Sequence, residues 1–111
     1  MLLLLLRLKE LLVEEDRWTQ YAEARNNDGY PVRHYSKFAC SWCLTGAVAR
    51  VANEYPETKN GYYRLTKALN REVKITCHVA DIQEWNDVED RQHSEVIALL
   101  DRAIKRVRRK K

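Results

Sequence analysis

The chain has 111 residues, of which 45% are hydrophobic and 32% are charged, with three Gly and two Pro. This length suits one domain that buries its core without metals or disulfides, and the composition excludes disordered and fibrous proteins. The formal net charge of +4 is uneven, because residues 102–111 contain seven basic residues and no acid, whereas residues 1–101 contain thirteen basic and sixteen acidic residues.

The cysteines and the apolar segments favour a cytoplasmic protein. There are three cysteines, an odd number, and Cys40 and Cys43 lie in an apolar stretch, which does not fit a secreted disulfide framework. The leucines at the start follow no basic region and precede no cleavage site of small residues. Because no apolar run reaches the about 20 residues that a membrane span needs, we expect no membrane-spanning helix.

Residues 2 to about 25 are predicted to form the first helix. Polar side chains recur on one side of it at helical spacing: Arg7, Glu10, Glu14 and Arg17. Residues 2–6 are all leucine and leave no polar face, so the first turns must be covered on more than one side. Two explanations stay open: these leucines enter the core of the domain, or Leu2, Leu3 and Leu6 contact a protein partner, such as the second copy in a homodimer.

The longest apolar stretch is FACSWCLTGAVARVA, residues 38–52, in which eleven of fifteen residues are apolar and Arg50 is the one charge. The residues before it, 26–31, combine Asn, Asp, Gly and Pro and therefore predict a turn. We predict that residues 38–52 form a buried central helix with Ser36 as its N-cap. Gly46 inside this helix indicates close approach of a neighbouring helix or an indole ring.

Three further helices are predicted after the central one: residues 62–71, a short turn at 81–86 that buries Ile82 and Trp85, and residues 92–108. Residues 73–80 alternate like a strand, but a lone strand has no partner, so we expect an extended connector. Residues 105–111 are expected to form a basic, frayed tail. The predicted fold is all-α, a single-domain bundle of four main helices and one short helix around residues 38–52.

Several local patterns, taken together, resemble one family. They are Trp18; Trp42, Cys43, Gly46 and Ala47; Ile82, Trp85, Asn86 and Asp87; and Glu95, Val96, Leu99, Leu100, Asp101, Arg102, Ala103 and Ile104. In order and spacing they resemble an uncharacterised family of small helical bacterial and bacteriophage proteins, a domain of unknown function, over residues 18–104. The resemblance implies no established activity. Where similar proteins open the last helix with Thr, this chain has Gln92, so Asp90 or Ser94 is expected to cap it.

Four residues supply soft ligands that would suit zinc: Cys40, Cys43, Cys77 and His78. However, the first two are predicted to lie in a buried helix rather than a tight loop, and the other two would point to opposite sides of an extended segment. Free cysteines are also among the most buried residues of proteins. We therefore predict no metal and no other cofactor.

Trp85, Asn86, Asp87 and Arg91 form a candidate site for a polar ligand, with a carboxamide and a carboxylate beside an indole ring. The alternative is a structural role, in which Asn86 caps the turn, Asp87 pairs with Arg91 or backbone amides, and Trp85 anchors the loop to the core. We favour the structural role, because polar turn residues that are satisfied within the protein are the commoner case.

The basic end of the chain is a candidate nucleic-acid contact, formed by Arg102, Lys105, Arg106, Arg108, Arg109, Lys110 and Lys111. Such a cluster displaces counterions and gives salt-dependent affinity with little sequence preference. The alternative is a solvated end that complements the negative pole of its helix. Both interpretations stay open at this stage.

The chain is predicted not to be an enzyme. His34, His78 and His93 are scattered, and Ser41 and Thr45 lie where hydrogen bonds to the preceding helical turn are expected. A glycine loop for phosphates is absent from the sequence. We expect a non-enzymatic protein-interaction or regulatory module of bacterial or phage type, acting on an unidentified protein partner or as a homodimer. The alternative is an accessory nucleic-acid-binding protein that uses the basic tail.

Overall fold

The computed structural model of the protein describes residues 1–77, 79 and 81–109, and for Thr76 and Cys77 it describes the backbone. Within these residues the α-helices are α1 (Leu2–Leu12), α2 (Leu44–Glu54), α3 (Gly61–Cys77), α4 (Ile82–Asn86) and α5 (His93–Arg109). The strands are β1 (Ala24–Arg25), β2 (Pro31–Val32) and β3 (Ser41–Trp42). The predicted fold, mostly helical with four longer helices and a short one, is confirmed in part, since the described residues also form a small sheet and the fold is not purely all-α.

The sheet is antiparallel and has the order β2-β1-β3. Ala24 pairs with Val32 on one side and with Trp42 on the other. The turn between β1 and β2 follows the predicted one, since Asn26 Oδ1 accepts hydrogen bonds from the backbone N–H groups of Asp28 and Tyr30 (both 3.0 Å) and Gly29 has φ +85°. The central strand thus lies in a segment for which helix was predicted.

The first helix ends at Leu12 rather than near residue 25. After a short 3-10 turn, Glu15–Arg17, the backbone N–H of Thr19 donates to the Trp42 carbonyl (3.1 Å), and Tyr21 takes the left-handed φ of 64°. Charged residues at helical spacing continue to Arg17, but after Leu12 the chain leaves the helix and then pairs with a segment more than twenty residues away. Residue spacing within one segment does not predict such long-range pairing.

The central helix begins at Leu44 and not at residue 38, and its N-cap is Cys43 rather than Ser36. The Cys43 Sγ accepts a hydrogen bond from the Gly46 N–H (3.3 Å). Residues 41 and 42 belong to β3 and are buried there, whereas Phe38 is exposed. Within the apolar stretch, residues 41 and 42 are therefore buried in a strand rather than in a helix, and residues 38–40 are not buried.

The core is formed where α1 packs against α5, α2 and α3. The buried leucines of α1 are Leu4, Leu5, Leu8, Leu11 and Leu12. Within the leucine run of residues 2–6, burial in the domain therefore accounts for Leu4 and Leu5 and, in part, for Leu2. It does not account for Leu3 and Leu6, whose exposed fractions are 62% and 39%.

The third helix extends to Cys77, so the extended connector predicted for residues 73–80 is wrong for residues 73–77. His78 and Ala80 lie outside the described residues. Val73 is buried with Leu65 and Leu69, which stand one helical turn apart from each other. Of the alternating residues, Val73 thus continues a buried helical stripe, whereas Ile75 is exposed.

The last two helices begin with side-chain caps. Asp81 accepts from the Glu84 N–H (2.9 Å) at the start of α4, and Glu95 Oε1 accepts from the Gln92 N–H (2.8 Å) at the start of α5. The second contact is the glutamate half of a capping box, which the Gln92 substitution leaves in place. Because α5 continues to Arg109, residues 105–109 of the expected frayed tail are helical. Lys110 and Lys111 are outside the described part of the chain.

Replacing Gly46 with Ala is expected to destabilise the protein by about 1–3 kcal/mol. An added Cβ would overlap the backbone carbonyl oxygen of Glu23, which cannot rotate away as a side chain does. The matched control is Gly61→Ala, because a Cβ there meets no atom nearer than 3.7 Å. Urea unfolding of the two variants measures the difference, and equal stabilities would contradict the close approach at Gly46.

Candidate functional site

The side chain of Asn86 is fully buried and all of its polar capacity is used inside the protein. Its Oδ1 accepts from Trp18 Nε1 (2.7 Å) and from the Leu44 N–H (3.1 Å). Its Nδ2 donates to the Thr19 carbonyl (3.2 Å) and to Asp87 Oδ1 (2.9 Å). Asn86 therefore joins three segments, the chain after α1, the start of α2 and the end of α4.

The neighbours of Asn86 are held in the same way. Asp87 accepts from the Tyr21 N–H (3.0 Å) and from Gln83 Nε2 (2.7 Å). The Arg91 guanidinium lies 3.9 Å from the centre of the Trp85 ring, and its Nε donates to the Trp85 carbonyl (2.9 Å). The structure thus brings all four residues of the predicted polar site together, with their polar atoms directed at the protein.

A small cavity of about 320 Å³ lies beside this cluster, with Tyr21, Glu23, Cys43 and Asp87 in its wall. Burial raises the pKa of the Cys43 thiol above its ordinary value. A thiol needs a lowered pKa to act as a nucleophile near neutral pH. The environment of Cys43 thus favours the protonated, unreactive form.

The candidate metal ligands do not converge among the described residues. Cys43 is buried as the cap of α2, whereas Cys40 is exposed. In the described part of the chain, no group of three or more His, Cys, Asp or Glu side chains has metal-binding geometry. The side chain of Cys77 and the whole of His78 lie outside the described residues.

Two histidines form hydrogen bonds between different segments of the chain. His93 Nε2 donates to the Leu12 carbonyl (2.7 Å) and so fixes the end of α1 to α5. His34 Nδ1 lies 2.6 Å from Glu23 Oε2, which also accepts from the His34 backbone N–H and from Arg33. Burial of Glu23 favours its protonated form, but these hydrogen bonds outweigh the burial, and the pKa of Glu23 falls below its ordinary value of 4.5.

A groove of about 850 Å³ lies between α3 and α5 and is here called the α3–α5 groove. Its rim carries five basic side chains: Arg64, Lys67, Arg71, Lys74 and Arg106. Its floor includes the apolar side chains of Ala68, Ile75, Ala103 and Val107. The groove thus combines an apolar floor with a cationic rim.

The single acid among the described lining residues of the groove is neutralised. Glu72 is buried, with 2% of its side chain exposed, and accepts from Arg106 Nε (2.5 Å) across the two helices. This contact raises the pKa of Arg106, which therefore stays charged. Residues 61–77 and 102–111 contain eleven basic residues and one acid, whereas the rest of the chain contains nine basic and fifteen acidic residues.

The predicted basic tail contributes to the groove through one of its described residues. Arg106 lines it, whereas Arg102 is partly buried and its Nε has no hydrogen-bond partner among the described residues. Lys105, Arg108 and Arg109 are exposed on α5. The other two residues of the predicted contact, Lys110 and Lys111, are not within the described ranges.

The four basic residues of α3 were not predicted as part of a site from the sequence. Arg64, Lys67, Arg71 and Lys74 are separated by three, four and three residues, which places them on one face of a helix. This signal was present in the sequence. The prediction of a helix ending at Arg71 and an extended segment from residue 73 concealed it, because Lys74 then belonged to a different element.

Comparison with known proteins gives one match. A family model described as "Family of unknown function (DUF6197)" covers residues 2–106. This confirms the resemblance to an uncharacterised family. No curated protein and no solved structure matches the chain. In addition, the described helices include none with the length and apolar character needed to cross a bilayer.

Replacing Asn86 with Ala is expected to destabilise the protein by about 2–5 kcal/mol, because the Trp18 and Leu44 donors would lose their buried acceptor. The exposed Asn27 is the control, and Asn27→Ala is expected to change stability by no more than about 0.5 kcal/mol. Thermal and urea unfolding measure both variants. An Asn86→Ala protein as stable as the parent would show that the cluster is not structural.

Replacing Glu23 with Gln is expected to cost about 1 kcal/mol at pH 7, since Glu23 is partly exposed and its hydrogen bonds are screened. The folded state lowers the pKa of Glu23, so its contribution is present above pH 4.5 and is lost as the pH falls through the folded-state pKa. The difference between parent and variant should therefore shrink in acid. Urea unfolding over a pH series tests this, with exposed Glu14→Gln as the control. A difference that is constant with pH would contradict the role of the carboxylate.

Proposed function

Because the chain belongs to the DUF6197 family, whose function is unknown, we propose from the site alone that it is a non-enzymatic nucleic-acid-binding protein. Its binding surface is the α3–α5 groove, extended by the exposed basic residues of α5. The phosphate backbone is the feature that this surface recognises. The expected cytoplasmic location is part of the same proposal, since nucleic acids are available there.

The observation that carries the proposal is the set of basic residues that line one groove. The stripe of α3, Arg64, Lys67, Arg71 and Lys74, lines the groove together with Arg106 of α5, which is paired with Glu72. Since Glu72 is paired with Arg106, these two charges largely cancel, and the α3 stripe supplies the net positive charge of the groove. A phosphate chain lying along the groove would meet cations on its rim without an exposed acid among the described lining residues.

The physical consequence of such a surface is salt-dependent affinity. Each neutralised phosphate releases counterions, so the logarithm of the binding constant falls linearly with the logarithm of salt concentration. Contacts with phosphates position a protein but carry no sequence information. We therefore propose binding with little sequence preference, by an accessory protein rather than a sequence-specific regulator.

The non-enzymatic part of the proposal is supported by the state of the reactive side chains. The raised pKa of Cys43 opposes thiolate formation. Asp87 already accepts hydrogen bonds from Tyr21, Gln83 and Asn86, so its carboxylate has a structural task. Both residues line the small cavity, as does Glu23, whose carboxylate is held by Arg33 and His34.

A second candidate function is protein interaction through α1, as a homodimer or with another protein of the bacterial or phage host. The observation that favours it is the exposure of Leu3 and Leu6, which stand almost one helical turn apart on the same side of α1. Leu2 is half-buried and contacts the edge of the core. This candidate does not involve the basic surface, so the two proposals are separable by mutation.

Replacing Arg71 and Lys74 with Gln tests the lead proposal. Because two phosphate contacts would be lost, we expect the slope of log binding constant against log salt to fall in magnitude by about 1.4 for single strands and about 1.8 for duplex. The measurement is fluorescence anisotropy with labelled oligonucleotides over a series of salt concentrations.

The matched control removes the same charge elsewhere, through Arg17→Gln and Lys59→Gln, two exposed basic residues outside the groove. An equal loss of slope in both double variants would mean that net charge alone drives binding. The second candidate is followed in parallel with Leu3→Gln and Leu6→Gln. If sedimentation shows a dimer that these changes dissociate, while no oligonucleotide binds, the protein-interaction function replaces the lead.

A further inference from the structure

We infer that the α3–α5 groove is built for single-stranded nucleic acid, with bases on its apolar floor and phosphates on its basic rim. This inference rests on the proposed function and names the form of its ligand. It is carried by features that phosphate binding alone does not explain, namely the apolar floor and an exposed aromatic ring.

The floor of the groove is more apolar than a phosphate-binding surface requires. Ile75 is 56% exposed, and Val107 and Ala68 are partly exposed beside it, although all three belong to helices rich in charge. Exposed apolar groups that adjoin one another in a groove indicate a binding surface. A duplex keeps its bases stacked inside and offers mainly phosphates to such a surface, whereas a single strand exposes the apolar faces of its bases.

Tyr63 supplies an aromatic ring at the rim of the same groove. Its side chain is 63% exposed, and Lys67 Nζ lies 5.9 Å from the centre of the ring. Proteins that bind single strands combine a basic groove with aromatic rings on which bases stack. In this arrangement a base stacked on Tyr63 would bring its own phosphate close to Lys67 and Arg64.

The basic stripe has the length to follow a strand. Ten residues separate Arg64 from Lys74, which corresponds to about 15 Å along α3. Arg106 lines the same groove from α5, where it is paired with Glu72, so the α3 stripe supplies the net positive charge. Charge complementarity therefore favours a polyanion, and the apolar floor favours one with unstacked bases.

An acidic helix of a partner protein is the competing occupant, because it could place apolar side chains on the floor and carboxylates against the rim. A second copy of the chain, binding through acidic residues that lie outside residues 61–77 and 102–111, is another competing occupant. Neither explains the exposed tyrosine beside a lysine as directly as a stacked base does. These occupants are distinguished by the choice of probes.

The test compares three labelled probes of equal phosphate number: oligothymidylate, an abasic strand and a duplex. We expect oligothymidylate to bind more tightly than the abasic strand by about 5- to 100-fold for each stacked base. Tyr63→Leu should remove most of this difference and leave the salt slope unchanged, because no charge is lost. Ile75→Ser is a second variant that should weaken base contacts without altering charge.

The matched control is Tyr62→Leu, since Tyr62 is 45% exposed but is not among the residues that line the groove. Thermal unfolding verifies that each variant is folded. Equal affinities for the three probes, or tighter binding of the duplex, would overturn the single-strand inference and leave phosphate binding in place. If no probe binds, the proposed function fails together with this inference, and binding of an acidic helical peptide in that case would assign the groove to a protein partner.

Discussion

The fold depends on one buried carboxamide, that of Asn86. Its two polar atoms satisfy the Trp18 indole, the Leu44 N–H, the Thr19 carbonyl and the Asp87 carboxylate at once. A buried amide of this kind is stabilising only while every partner is in place, because an unsatisfied buried polar group costs about 1–3 kcal/mol. It therefore favours one arrangement of the segment after α1, the start of α2 and the end of α4.

Charged residues near Asn86 and those near the α3–α5 groove have different surroundings. Near Asn86, the charged side chains form hydrogen bonds within the protein, as those of Asp87 and Arg91 do. On the α3–α5 side, one internal ion pair, between Glu72 and Arg106, holds the two helices together. The other basic side chains of the α3 stripe are left exposed to solvent. Such a charge distribution suits binding to an anion better than it suits stability, since like charges on adjacent helices repel each other.

The sequence predicted which residues are apolar and buried better than it predicted their secondary structure. Trp42 and Cys43 are buried as expected, but they precede the helix in which they were placed, because an extended segment paired with β1 buries them equally well. The candidate polar site was predicted as a cluster, and its members do meet. The basic groove was predicted only in part, from the α5 side. The strand-like alternation of residues 73–79 hid the α3 stripe, and periodicity alone does not arbitrate between helix and strand in short apolar runs.

By itself, the sequence determined the number of helices, most of the core positions, the family resemblance and the uneven charge of the chain. These properties depend on residue type and on spacing within one segment, which local patterns express. Only the tertiary structure decided that the chain leaves the helix after Leu12, that Cys43 caps α2, and that the α3 stripe and Arg106 line one groove. These features depend on contacts between segments far apart in the chain, such as Glu72 with Arg106 and Trp18 with Asn86. Such contacts contribute to the free energy of folding only when the segments are packed together.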